Sequence, residues 1–302
     1  MRWSNAPATH PTRRSILKGA ALVLASPAVA WEHALAQDQT RQPELTIALF
    51  TDPHYADKPA SGERHYRASL PKIEEAIERL GQAGPDFAVE LGDFIDGSPS
   101  RSEEISALQA IEDCYAGLNC PRHYVLGNHD LHHLSKDDFI ERTAAHAPYY
   151  SFDQAGYHFV ILDACYRQDG EPYHKGNYEW TDTYVPEKQL DWLRDDLRGT
   201  DRPTVVFTHQ RLDLEPDHNF AIKNCDAIRQ LLAEAGNVRA VFHGHAHQNE
   251  HQRLDGIDYC VLEAVVDGEE LETNAFALLK LYADQSIRIE GFHTQASHHW
   301  QG

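Results

Sequence analysis

From Leu45 onward the chain alternates short apolar runs with longer amphipathic ones. LTIALF (Leu45–Phe50), FAVEL (Phe87–Leu91), HYVL (His123–Leu126), TVVF (Thr204–Phe207) and VRAVF (Val238–Phe242) are brief and rich in β-formers, the pattern of buried strands. Between them lie stretches with apolar residues at helical spacing. SLPKIEEAIERL carries Ile73, Ile77 and Leu80, with Ser69 read as its cap and Pro71 in the first turn. SEEISALQAIEDCYAGL is a second predicted helix, and PEKQLDWLRDDL, with Leu190, Leu193 and Leu197 on one side, a third. CDAIRQLLAEAG is a fourth, closed by Gly236. YYSF and YHFVIL flank the turn DQAG as a hairpin. YCVLEAV, FALLKLY and SIRIEGF read as a closing meander of strands.

Strand and helix alternate first, and strands alone follow. This order predicts an α/β fold of four layers, an αββα sandwich with two mixed β-sheets flanked by helices. No repeat or low-complexity tract breaks residues 45–302, which read as one domain after a polar leader at 37–44. Residues 1–36 are different in kind. TRRSILKGAALVLASPAVA sets two arginines and a lysine before a short apolar run. Arg13 and Arg14, followed by Leu17 and Lys18, resemble a twin-arginine export signal, with Ile16 where Phe is more usual. Cleavage sites stand after Ala36 and Ala30, and an uncut membrane anchor is the alternative. The expectation is export to the periplasm or the extracellular space, with no membrane span in the mature chain.

The formal charge is −20, and residues 1–36 hold four cations and one carboxylate, so the remainder is more acidic still. Such a surface repels polyanions and argues against nucleic-acid polymers and anionic membranes as partners. Of five cysteines, Cys114 and Cys120 are near enough in sequence to bridge, and Cys165, Cys225 and Cys260 sit on apolar segments as buried thiols. No CxxC pair suggests a cysteine zinc site.

The chemistry lies at the strand ends. LTIALF is followed by Asp52 and His54, FAVEL by Asp93 and Asp96, HYVL by Gly127-Asn128-His129-Asp130, TVVF by His209, and VRAVF by His243, His245 and His247. Carboxyl ends of strands are where open α/β sheets bind ligands. One Asp or His there is an ordinary turn residue; five such sites in series point to metal. Carboxylate, amide and imidazole donors together suit Mn²⁺, Fe²⁺ or Zn²⁺ better than Mg²⁺ or Ca²⁺. The donors outnumber the needs of one ion, and two ions sharing a carboxylate would use them.

In order and wording these residues resemble the calcineurin-like metallophosphoesterase family: D-x-H, G-D-x-x-D, G-N-H-D, a lone H, then G-H-x-H. The resemblance implies that Asp52, His54 and His247 bind one metal and Asn128, His209 and His245 the other, with Asp93 bridging. It implies that His129 contacts the phosphate and protonates the leaving oxygen, that Asp96 orients His129, and that a hydroxide held by both metals attacks phosphorus. Gly127 gives the backbone room and Asp130 holds the turn. His243, which precedes the G-H-x-H element, is expected to be a bystander, and His132, His133, His298 and His299 lie outside the pattern and are expected to be solvated.

The stretch DKPASGERHYRASLPKIEEAI, with LGDFIDG, ILDA and PEKQLDWL, is similar to manganese-dependent ADP-ribose/CDP-alcohol diphosphatases, although those often carry Gln where this chain has His54. Purple acid phosphatases have Tyr where this chain has Asp96. Arg64, Tyr66 and Arg67 are candidates to line a phosphate-bearing substrate, or else form a solvated leader to the helix. The expected activity is hydrolysis of a phosphodiester or diphosphate bond in a small nucleotide-like molecule. A phosphomonoesterase is the alternative, and a non-catalytic metal-binding recognition protein a weaker one.

Overall fold

The computed structural model describes residues 42–301. The export segment, the cleavage sites and most of the leader lie outside the described residues.

Two six-stranded sheets form the centre. The first runs β12-β11-β10-β1-β2-β3, with β1 at Leu45–Phe50, β2 at Phe87–Glu90, β3 at Arg122–Tyr124, β10 at Ala275–Leu281, β11 at Ile287–His293 and β12 at His298–Trp300. The second runs β4-β5-β6-β7-β9-β8, with β4 at Tyr150–Gln154, β5 at Tyr157–Ile161, β6 at Thr204–Phe207, β7 at Val238–His243, β8 at Glu250–Leu254 and β9 at Ile257–Val261. β1, β2 and β3 are mutually parallel, as are β5, β6, β7 and β9, and the outer strands pair antiparallel.

Alternation along each strand decides the layers. On β1, Leu45, Ile47 and Leu49 face the second sheet and meet Phe159, Phe207 and Phe242. Ala48 and Phe50 face outward, under Ile73 and Leu80 of α1 (Ser69–Gln82) and Leu108, Ile111 and Tyr115 of α2 (Arg101–Tyr115). On the far side, Val160, Val206 and Val241 lie under α4 (Glu187–Arg198) and α5 (Cys225–Ala235) through Leu190, Leu193, Leu197, Ile228 and Leu232. Each of the buried Val, Leu, Ile and Phe side chains among them contributes about 1.5–3 kcal/mol. The result is the four-layer αββα sandwich. A short helix, α3 (Lys136–Ile140), opens with a capping box between Ser135 and Asp138.

Four expectations change. Ser69 is the first helical residue of α1, not its cap; the preceding turn, Tyr66–Ala68, is already helical, and the Ser69 hydroxyl is buried. The closing strands do not form one meander: β8 and β9 complete the second sheet, and the chain then crosses to the first for β10 to β12. All five cysteines are free, Cys114 and Cys120 included. His298 is not simply solvated: it lies on β12 with its ring stacked on Trp300. Among the described residues no helix is long and apolar enough to cross a membrane.

Candidate metal centre

The parallel strands of both sheets deliver their carboxyl ends to one edge of the sandwich. Asp52 and His54 follow β1, Asp93 and Asp96 follow β2, Asn128 and His129 follow β3, His209 follows β6, and His245 and His247 follow β7. Six of the seven predicted ligands bring donor atoms together there, and the seventh, Asn128, has its side-chain oxygen buried without a partner. His54 Nε2 lies 3.1 Å from His247 Nε2 and 3.5 Å from Asp52 Oδ1. Asp93 Oδ2 stands between the two groups, 3.5 Å from His54 Nε2 and 3.1 Å from His209 Nε2. Donor atoms of Asp52, His54 and His247 form one cluster, and those of Asp93, His209 and His245 another.

The backbone is bent to reach this edge. Asp52, His54, Asp93, His245 and His247 all have positive φ, between 43° and 69°. They are half of the non-glycine residues in that region among the described residues. Such conformations persist only where the surroundings impose them, and they gather at functional sites. Packing of the turns is correspondingly tight. A Cβ on Gly127 would lie 2.1 Å from Asp93 N, and one on Gly244 would lie 2.0 Å from Thr51 Oγ1. Asp130 accepts from the backbone N–H groups of Gly127, Asp93 and Ile95, so it joins two ligand loops instead of merely holding its own turn.

Of thirteen buried side-chain polar atoms without a hydrogen-bond partner among the described residues, four belong to the predicted ligands. They are Asp52 Oδ1, Asn128 Oδ1, His209 Nε2 and His245 Nε2. Buried polar atoms are almost always satisfied. Four orphans of metal-ligating type at one edge, two of them oxygens and two imidazole nitrogens, fit divalent cations. Their neighbours fix them: His209 Nδ1 donates to Leu91 O (2.8 Å), His54 Nδ1 to Asp96 Oδ2 (3.0 Å), His247 Nδ1 to Asp267 (3.1 Å), and Asp52 Oδ2 accepts from Thr51 Oγ1 and His245 N. Partners of this kind orient a ligand ring and raise its basicity.

The electrostatics agree. Burial pushes the Asp93 carboxyl upward, but His209, His129 and His54 outweigh it and hold Asp93 well below the usual carboxylate range. Asp52 is likewise held down by His247 and His209 against the effect of burial. Against its own burial, His209 is raised to about 9 by Asp93 and Asp52, and His247 to about 10 by Asp52 and Asp267. His245 is pushed down by burial and by His209. A cation entering the cluster therefore meets ionised carboxylates and competes with protons on two of the imidazoles.

His129 is 29% exposed at its side chain, and its Nδ1 lies 3.2 Å from Asp96 Oδ2, the oxygen that also holds His54. Its N–H donates to Asp93 Oδ1 (2.7 Å). Of the three substrate-lining candidates, Arg64 reaches the site, with Nη1 3.7 Å from Asp96 Oδ2. Tyr66 is buried beneath Lys58, whose ammonium lies 4.1 Å from the ring centroid, and so presents no open face. Arg67 pairs with Asp57 at the surface. His132 and His133 are not simply solvated: His132 Nδ1 and the His133 N–H both bond buried Glu104. His243 is fully buried, stacked on Tyr259.

Sequence reasoning missed Lys58, which donates to Asp96 Oδ1 and Gly97 O (both 2.7 Å). It also missed Asp267. VVDG after the strand at Tyr259 repeats the apolar-run-then-Asp pattern, so a signal existed. Tyr178, whose hydroxyl donates to Asn128 O, comes from an irregular loop that offered none.

Residues 45–249 match the family model described as calcineurin-like phosphoesterase. The chain belongs to the calcineurin-like phosphoesterase family. It is 24% identical over 296 residues to a manganese-dependent ADP-ribose/CDP-alcohol diphosphatase of Oryza sativa subsp. japonica, covering 83% of this chain and 92% of that one. It is 31% identical over 209 residues to serine/threonine-protein phosphatase CPPED1 of Danio rerio, covering 63% of each. Its fold matches the crystal structure of a dimetal phosphatase from Danio rerio with a TM-score of 0.76 at 21% identity, over 86% of this chain and 99% of that one. It is thus a hydrolase of phosphoester bonds with a metal-binding edge.

Proposed function

We propose that this phosphoesterase holds two divalent ions, and that it hydrolyses the phosphodiester or diphosphate bond of a small nucleotide-like molecule. The convergence of four orphaned donors around Asp93 carries the reading. Asp52, His54 and His247 would hold one ion and Asn128, His209 and His245 the other, with Asp93 shared. When bound, such ions lower the pKa of water toward about 7 and neutralise phosphate oxygens.

The chain's own groups supply the rest. Asp96 Oδ2 lies 3.2 Å from His129 Nδ1 and would orient the ring, whose side chain is part-exposed. His129 would act as the acid toward the departing oxygen. Arg64 and Lys58 flank Asp96 and present positive charge to a second phosphate or an ester oxygen. The diphosphatase relative favours this substrate class. The protein-phosphatase relative supports the second reading, a phosphomonoesterase.

The test is turnover of ADP-ribose, CDP-choline, bis-p-nitrophenyl phosphate and p-nitrophenyl phosphate with Mn²⁺, Fe²⁺ or Zn²⁺. Preference for the monoester under every ion would install the second reading, and no turnover at all would leave a recognition protein. Export rests on Arg13, Arg14 and the apolar run after them. Arg13→Lys with Arg14→Lys should retain the protein in the cytoplasm.

A further inference from the structure

One end of the metal centre carries aromatic rings that none of these roles uses. Trp180 is 40% exposed; among the described residues only Leu271 is a comparably exposed large apolar side chain. Its ring lies 5.8 Å from that of His245 and 5.7 Å from that of Phe220. Phe220 in turn meets His245 edge-on, at 5.4 Å and 89°. A single exposed apolar ring is ordinary on a protein surface, so what matters is what it adjoins. Here the open indole adjoins an imidazole whose Nε2 is one of the four orphans.

Neither ring is on a loose segment. Two residues before Trp180, the Tyr178 hydroxyl bonds the carbonyl of Asn128, and the Tyr178 ring stacks on buried Tyr173 at 4.0 Å. Two residues after it, Asp182 O accepts from Tyr173 OH (2.9 Å). On the other strap, Phe220 O accepts from Arg211 N (3.1 Å), and buried Arg211 is held by Asp213 through two hydrogen bonds. The rings are therefore fixed relative to Asn128 and His245, and a ligand stacking on them would not have to order them first.

We infer that Trp180 and Phe220 form a stacking face for the planar base of a nucleotide whose phosphate is held beside His245. The inference rests on the proposed activity and deepens it by naming what the substrate carries at this end. It also moves the base away from Tyr66, which is covered by Lys58. With Arg64 and Lys58 at the opposite end, next to Asp96, the site is polarised: cations on one side, flat apolar faces on the other.

The probes are cytidine 5′-monophosphate and ribose 5-phosphate, which differ by the base, titrated by calorimetry into Zn²⁺-loaded protein. The wild type should prefer the nucleotide. Trp180→Ala should weaken nucleotide binding by about 5- to 150-fold, the range for loss of one base stack, so that the preference collapses. Trp180→Phe should recover part of it, and Phe220→Ala should lose part. The nucleotide should quench tryptophan fluorescence in the wild type and much less in Trp180→Phe. Equal affinity of the wild type for both probes, an undiminished preference in Trp180→Ala, or quenching by phosphotyrosine but not by the nucleotide would overturn the inference. Binding is read without turnover. A protein that hydrolyses nothing would sink the proposed activity, and the two titrations would still decide whether the rings hold a base.

Discussion

The two ends of the metal centre are built from the same residue types and supported differently. At the Asp52–His54–His247 end, both imidazoles rest on carboxylates, His54 on Asp96 and His247 on Asp267. Asp267 is in turn placed by a loop gathered around buried Lys72, whose ammonium bonds the carbonyls of Val265, Asp267 and Gly268 and the Thr273 hydroxyl. At the Asn128–His209–His245 end, the His209 ring rests on a neutral group, the Leu91 carbonyl, Tyr178 ties its loop to the Asn128 carbonyl, and carboxylate support reaches only the His245 backbone N–H, from Asp52. A carboxylate behind an imidazole raises its basicity more than a carbonyl does. On the proposed function the first end would be the stronger cation trap, and His129, the proposed acid, lies beside it. The second is weaker and opens onto aromatic surface. The difference suggests a division of labour, with chemistry anchored at one end and part of the ligand read at the other.

The comparison can be broken most severely at the residue common to both ends. Asp93→Asn should release both ions and take turnover to the assay floor; retention of two tightly bound ions with full activity would refute the shared role. Next in size is His129→Ala, which should cost about 10²–10⁴ in rate on esters with poor leaving groups. It should cost much less on nitrophenyl esters and leave ion content unchanged; loss of an ion would make His129 a ligand. The asymmetry itself is sharpened by Asp267→Asn. Chelator should strip the wild type in two steps, the second end first, and the substitution should weaken the tighter step by about 10- to 100-fold and draw the two together. A single step in the wild type would mean that the ends are equivalent. Smallest of all, Arg64→Ala should raise KM for a diphosphate substrate by about two- to fivefold, the scale of a partly exposed charge contact, with kcat nearly intact.

The residues gathered at the candidate metal edge were largely legible in the sequence, because an apolar run followed by Asp or His is a local signal. Asp52, His54, Asp93, Asn128, His209, His245 and His247 all stand immediately or almost immediately after such runs. The four layers were legible for the same reason. What escaped was non-local or polar. β8, Glu250-His251-Gln252-Arg253-Leu254, is an edge strand with no apolar run, and β12 has three residues. The crossing from β9 to β10 is a choice of partner, which periodicity does not encode. Tyr66 read as available to line the substrate because nothing in the sequence placed Lys58 over it. Trp180 gained its position from Tyr178, Tyr173 and Asn128, and the bond from Tyr178 to Asn128 joins residues far apart along the chain.

The left-handed backbone at Asp52, His54, Asp93, His245 and His247 has a consequence for how the protein can change. Each such residue costs roughly 1–2 kcal/mol where glycine would cost little. Five together are commensurate with the whole net stability of an ordinary domain, about 5–15 kcal/mol. The rim is thus the place where the scaffold has most to gain by losing its purpose. A laboratory selection that rewards only heat resistance should accumulate glycine there early and return hardened, inert proteins. A selection that rewards released phosphate should leave those five positions untouched and find its improvements in the helices and outer strands.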